Sequence, residues 1–188
     1  MIKIYRNPRA LLPSCVFVFY TFTLVSILTY VPGLISDSSL QKLMLVVLPL
    51  ISTSGTFLAG ALAQYFMRPQ RVALMAYSGV AIGAIILSLT GDSVVLFCVV
   101  VSIMVLFLGM IPGSALAMIP NLARNPSEQA QGYGLLAQFG NLGATAGPPM
   151  FATAIAMYGL SGLVVLVLCI CCFGVLFSLL AGRIKAVV

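Results

Sequence analysis

Apolar residues along this chain gather into six long runs, at about residues 11–31, 43–67, 72–89, 93–120, 129–158 and 160–181, parted by short polar breaks. Each run reaches or exceeds the roughly 18–20 residues that a helix needs to cross a bilayer. The breaks carry helix-ending chemistry: Pro32-Gly33 after the first run, Arg68-Pro69 after the second and Thr90-Gly91-Asp92 after the third. The pattern predicts an all-α integral membrane protein, a six-transmembrane-helix bundle in which residues 1–188 form one domain.

The runs differ in polarity, and the fifth departs most from a plain apolar span. From Glu128 to Tyr158 it is long enough to cross, yet it carries Gln131, Gln138, Asn141 and Thr145. At about 100° per residue these four and Gly134 fall within an arc of roughly 80°, with Gly140, Gly143 and Gly147 on the opposite side. One face is therefore polar and the other is notched for close contact with a neighbouring helix. Pro148-Pro149 then removes two backbone donors, a break expected to need a wet or polar neighbour. The second run carries Ser52, Thr53, Ser54, Thr56 and Gln64, with Ala59, Gly60 and Ala63 as small contacts. The first carries Thr23, Ser26 and Tyr30, with Tyr20 nearby. The fourth aligns Ser102, Gly109 and Gly113 and is expected to be interrupted at Pro112 and Pro120. The third and sixth are almost uniformly apolar. Polar, broken spans line cavities and uniform ones face lipid. The third and sixth are thus expected toward lipid, and the other four toward a cavity or a polar neighbour.

Composition sharpens the class. Hydrophobic residues make up 62% of the chain and charged ones 6%, where a soluble domain is about a quarter charged. Mean hydropathy is +1.19. A formal charge of +6 raises the question of a nucleic-acid partner. The basic residues, however, lie scattered in short loops rather than in a patch, and topology explains them. With six spans, Lys3, Arg6, Arg9, Arg68, Arg71, Arg124, Arg183 and Lys185 share one side, and Lys42 stands alone on the other. The positive-inside rule then puts both termini in the cytoplasm, with the chain as a multi-pass protein of the plasma (inner) membrane. Basic residues precede the first run and no small-residue cleavage site ends it, so no signal peptide is expected.

Enzymatic readings find little to stand on. The chain has no His, which removes the commonest general base and the commonest metal ligand. Gly159-Leu160-Ser161-Gly162 matches the GxSG of intramembrane serine proteases, but the base that its serine needs is missing. The five Cys lie inside apolar runs, where Cys serves as a small hydrophobe. Asn7-Pro8 and Asn125-Pro126 read as helix starts. Asp37, Asp92 and Glu128 fall in loops or at helix starts, and no charged residue lies within a span. That argues against an autonomous proton pump. No enzyme activity, metal, cofactor or nucleic acid is expected. Each polar group within a span is most simply used for helix–helix hydrogen bonding. If the set contacts a solute, Tyr20, Thr23, Tyr30, Ser102, Gln138 and Asn141 are the candidates. A ring bearing a hydroxyl can both stack on a small organic molecule and hydrogen-bond it.

Several stretches resemble the carboxy-terminal six-helix half of a major facilitator superfamily transporter. Asn7-Pro8-Arg9 with the span ending Tyr30-Val31-Pro32 resembles the family's seventh helix. Gly60-Ala61-Leu62-Ala63-Gln64 followed by Arg68-Pro69-Gln70-Arg71 resembles the degenerate copy of its cytoplasmic GxLaDrxGrR loop. Gln131-Gly132-Tyr133-Gly134 through Gly147-Pro148-Pro149 resembles the eleventh helix of many solute and drug exporters. Gln64 stands where the loop motif usually has Asp and Met67 where it usually has Gly. The resemblance implies a 3+3 inverted repeat and transport of a small organic solute or drug-like compound by a pair of six-helix halves. It also implies that Ser52, Thr56, Gly60, Gln64, Arg68, Arg71, Gly147 and Pro148 lie at the contact between halves or in its gating. The second half is expected as a separate chain or as another copy of this one. The alternative is a non-transporting six-span scaffold or an inactive fragment. The charge distribution makes one expectation directly testable: a reporter fused to the C-terminus reads as cytoplasmic, and an extracytoplasmic signal would overturn the six-span topology.

Overall fold

The computed structural model describes residues 5, 7–91 and 93–184. Lys3, Arg6, Asp92 and Lys185 lie outside them. Among the described residues there are five α-helices and a 3-10 turn. The helices are α1 (Pro8–Tyr30), α2 (Ser38–Tyr65), α3 (Pro69–Leu87), α4 (Val94–Leu122) and α5 (Pro126–Arg183). All five are long and apolar enough to cross a membrane. The architecture is a bundle of membrane-type helices.

Local chemistry sets the helix starts. Asn7, Asp37, Ser93 and Asn125 each turn a side-chain oxygen onto first-turn N–H groups. Pro8, Pro69 and Pro126 occupy first helical positions, where no donor is lost. Prolines inside the helices behave differently from the expectation. α4 runs through Pro112 and Pro120, and α5 runs through Pro148-Pro149, without leaving the helix. Each proline removes one intrahelical bond, but packing on both sides of it holds the path. The one departure inside α5 is at Gly159, with φ 57° and ψ −139°. This conformation is open essentially to glycine alone, and it falls between the fifth and sixth apolar runs.

At Gly159 the chain folds back. A Cβ on Gly162 would collide with the Ala154 carbonyl oxygen, although residues eight apart in one straight helix are separated by about 12 Å. α5 therefore has an N-terminal arm and a C-terminal arm. Leu160 lines a cavity of about 370 Å³ with Ile35, Ser36, Gly91 and Ser93 at one end of the bundle. Gly182 and Ile184 line another, of about 460 Å³, with Arg68, Gln70 and Asn121 at the other end.

Helices adjacent in sequence are mostly not the ones that pack together. α2 lies on α4, where a Cβ on Gly109 would strike the Ser52 carbonyl oxygen and one on Gly55 the Leu106 carbonyl oxygen. The N-terminal arm of α5 lies on α1 in the same manner. A Cβ on Gly143 would meet Val18 and Thr21, and one on Gly147 the Phe22 carbonyl oxygen. α3 packs on α4 through Gly79 against Phe107 and Gly83 against Met104. The C-terminal arm of α5 packs on α1, with Phe19 stacked on Phe173 and Phe177 at centroid distances of 5.8 and 5.7 Å. α3 and that arm meet where the Tyr77 ring fills the notch of Gly174. The Tyr77 hydroxyl donates to the Val16 carbonyl at 2.6 Å, which ties α1 into the contact. α1 and α4 thus form the centre. Ile82, Ile85 and Ile86 of α3 and Phe173, Leu176 and Leu179 of the C-terminal arm are exposed on the outside.

Hydroxyl groups within the helices are satisfied locally. Ser14, Thr23, Ser26, Ser102, Thr145 and Ser178 each donate to the carbonyl four residues back, at 2.7–2.9 Å. The bond closes within one helix and suits an apolar surround.

The glycine contacts give a contrast of sign. Gly109→Ala forces two backbones apart and is expected to destabilise by about 1–3 kcal/mol. Gly134→Ala, with nothing within 4 Å of the added carbon, is expected to be neutral or stabilising by up to about 1 kcal/mol. Thermal unfolding of the two variants in detergent reads this. Equal melting temperatures would contradict the packing described.

Candidate functional site

The surface of α5 opposite α1 is the candidate site. Because Gly140, Gly143 and Gly147 fix the N-terminal arm against Phe17, Val18, Thr21 and Phe22, its rotation is fixed. Gln131, Gly134, Gln138, Asn141 and Thr145 all face outward and are exposed, and Pro149 and Thr153 extend the strip. Their chemistry is not uniform. Thr145 and Thr153 spend their hydroxyl protons on the carbonyls of Asn141 and Pro149, at 2.8 and 2.9 Å. The side chains with spare hydrogen-bonding capacity are the carboxamides. Gln138 accepts from the Tyr5 hydroxyl at 2.8 Å and keeps its two N–H donors free among the described residues. The Asn141 side chain has no partner among them.

A second polar element lies across the bundle. Tyr20, Leu24 and Leu28 of α1 and Pro49, Ser52, Thr53 and Thr56 of α2 line a groove of about 280 Å³. The Tyr20 ring leans on Phe17 at 5.4 Å between centroids. Thr56 donates to the Gly109 carbonyl of α4 at 2.8 Å, which occupies its proton.

The other expected residues are placed as follows. Thr23 is buried at 2% exposure and its hydroxyl is bonded to the Phe19 carbonyl, so it offers nothing to a solute. Ser102 is half-buried, with its hydroxyl bonded to the Cys98 carbonyl at 2.8 Å. Tyr30 is partly buried against the core at the end of α1. Ser52 and Gly147, expected at a contact with a second unit, are used inside the chain. The Ser52 backbone takes Gly109, and Gly147 takes the Phe22 backbone. Gly60 borders Gly113 of α4, and Pro148 is half-buried. Gln64, Arg68 and Arg71 are exposed at the basic end.

Sequence spacing did not reveal the cross-links at that end. The Asn7 side-chain amide donates to the Glu128 carboxylate, which also accepts from the Arg124 backbone N–H at 2.6 Å. Arg9 donates from Nη1 to the Leu122 carbonyl at 2.8 Å, capping the C-terminus of α4. Together these tie the start of α1 to the α4–α5 connection. The only signal for them was that Asn7 and Glu128 both stand at helix starts on the same side of the bundle.

No protein-family model matches the chain, and no curated protein sequence matches it. The Asn7–Glu128 link yields an expectation of its own. Asn7→Ala and Glu128→Ala each destabilise by about 0.5–1.5 kcal/mol, and the double variant loses less than the sum of the two single losses, because the shared bond is counted once. Additive losses in a double-mutant cycle would show that the two side chains do not act as a pair.

Proposed function

We propose that the chain crosses the membrane six times and forms one half of a major facilitator-type secondary transporter, moving a small organic solute. The observation that carries this is the α5 strip: carboxamides exposed along a helix whose other face is packed against α1 in an apolar bundle. Free carboxamides at membrane depth are costly against hydrocarbon. They call for water, solute or a second polar surface.

Further observations support the reading. Leu160 lies at one end of the bundle and Gly182 at the other, as two crossings by α5 require. Arg9, Arg68, Arg71, Arg124 and Arg183 belong to segments at one end, while Lys42 lies in the first turns of α2 near the other. That division favours a cytoplasmic basic end. The pairing of the helices also supports a repeat. α2 on α4 corresponds to the N-terminal arm of α5 on α1, each through glycines. α3 on α4 corresponds to the C-terminal arm on α1, each with Phe rings of the central helix in the contact. Units of three helices running in opposite senses would give this 3+3 pattern. In this reading Gln138 and Asn141 contact the solute from α5, and Tyr20 does so from the α1–α2 groove. A second six-helix unit, a separate half or another copy, covers the strip. The chain moves its solute without transforming it.

Cysteine accessibility tests the proposal. In a background without the five native Cys, Gln138→Cys and Asn141→Cys react with a membrane-impermeant thiol reagent in intact membranes. Ile82→Cys, on the outer face of α3, does not. If Gln138→Cys and Asn141→Cys are as unreactive as Ile82→Cys, the strip borders lipid or closed protein and the transport reading fails.

A further inference from the structure

The cavity of about 460 Å³ at the basic end has a chemistry that the transport reading leaves unused. It lies between the C-terminus of α2, the N-terminus of α3 and the last turns of α4 and α5. Gln64, Arg68, Gln70 and Asn121 are among its lining residues. Gln70 is the informative one. It is 93% buried by its 7% exposure, yet its carboxamide makes no hydrogen bond to any described residue. Neither are its polar atoms sealed in: no buried side-chain N or O atom lacks a partner among the described residues. What little of Gln70 stays open therefore opens into the cavity that it lines.

The backbone beside it is also unfinished. Arg68 caps α3 without a side-chain hydrogen bond, and Pro69 has no N–H. The N–H groups of Arg71 and Val72 both turn back to the Arg68 carbonyl. The Gln70 N–H is left without a backbone partner at the positive end of the α3 dipole. The Arg68 guanidinium is exposed at the same cavity, and among the described residues no carboxylate lines it. A helix N-terminus, an arginine and a donor-bearing buried amide together make a cradle for a tetrahedral oxyanion.

We propose that this cavity binds a phosphate group, carried on a lipid headgroup or free in solution. Arg68 pairs with its charge, while the Gln70 side chain and backbone N–H donate to its oxygens. Exposed Tyr65 and Phe66 at the rim, at 74% and 77%, give acyl chains an apolar border and favour the lipid source. Only the assignment of this end to the membrane surface rests on the six-span reading; the binding itself does not.

The test uses the full chain, delipidated in detergent and titrated separately with phosphatidylglycerol, a neutral galactosyl diacylglycerol and inorganic phosphate, with binding read from the melting temperature and from adducts in native mass spectrometry. Phosphatidylglycerol is expected to bind and stabilise, and the galactolipid is not. Arg68→Ala and Gln70→Leu are each expected to weaken binding about tenfold, as for one lost charge-assisted hydrogen bond. Arg124→Ala, at the same end but off the cavity, leaves binding unchanged. Protection by inorganic phosphate as well assigns the site to free phosphate; its absence assigns it to the headgroup. Arg68 is exposed, so Arg68→Ala keeps the fold, and wild-type binding by this variant overturns the proposal whatever Gln70→Leu does. Equal protection by the galactolipid, or an equal loss in Arg124→Ala, overturns it too. None of these readouts depends on transport.

Discussion

Backbone contact at glycine is the constraint on which the rest of this structure depends. Gly109 brings α4 onto the Ser52 carbonyl of α2, and Gly143 and Gly147 bring α5 onto α1. At such distances there is no room for a Cβ and little freedom to rotate a helix about its axis. Between helices in lipid, apolar burial gives little drive, and close packing of this kind supplies much of the attraction. Each contact therefore does two things: it holds a pair together and it fixes which residues of the pair point away.

The outward strip of α5 follows from that rotation. With glycines toward α1, the carboxamides of Gln131, Gln138 and Asn141 have nowhere to go but outward. Hydroxyl groups could share the same surface at little cost, because Thr145 and Thr153 bond to their own helix. Of the carboxamides, Gln131 has a local partner in the Ser127 hydroxyl at 3.5 Å, while Gln138 and Asn141 have none on their own helix. The polar demand of the strip therefore rests on Gln138 and Asn141 and not on its threonines. The same distinction removes Thr23 and Ser102 from the group with spare donors.

The two ends of the bundle are built differently. At one, Ile35, Gly91 and Leu160 come together around turns with little charge. At the other, side chains cross-link chain segments far apart in sequence: Asn7 to Glu128, Arg9 to Leu122. The basic end is thus tied between α1, α4 and α5, while Arg68 and Gln70 on the α2–α3 side remain without partners among the described residues and face a cavity. Fixed contacts and unsatisfied donors lie side by side at the basic end of the bundle.

Much of this was legible in the amino-acid order. Run length and the scarcity of charge required membrane-type helices, because hydrocarbon leaves backbone groups no other partners. The spacing of Gly140, Gly143 and Gly147 against Gln138 and Asn141 determined two opposite faces on α5, because a helix turns about 100° per residue. The sequence also marked Gly159 as a place between two runs. It could not say that the chain folds back there with positive φ, nor that Pro112, Pro120 and Pro148-Pro149 would leave their helices unbroken. Those outcomes depend on what packs on either side. Tertiary structure alone decided which helix each notch receives: Gly147 takes Phe22 of α1, and Gly174 takes the Tyr77 ring. It alone brought Asn7 to Glu128 and left Gln70 buried beside an open cavity. Periodicity assigns a residue to a face of its own helix; only the packed bundle determines what that face meets.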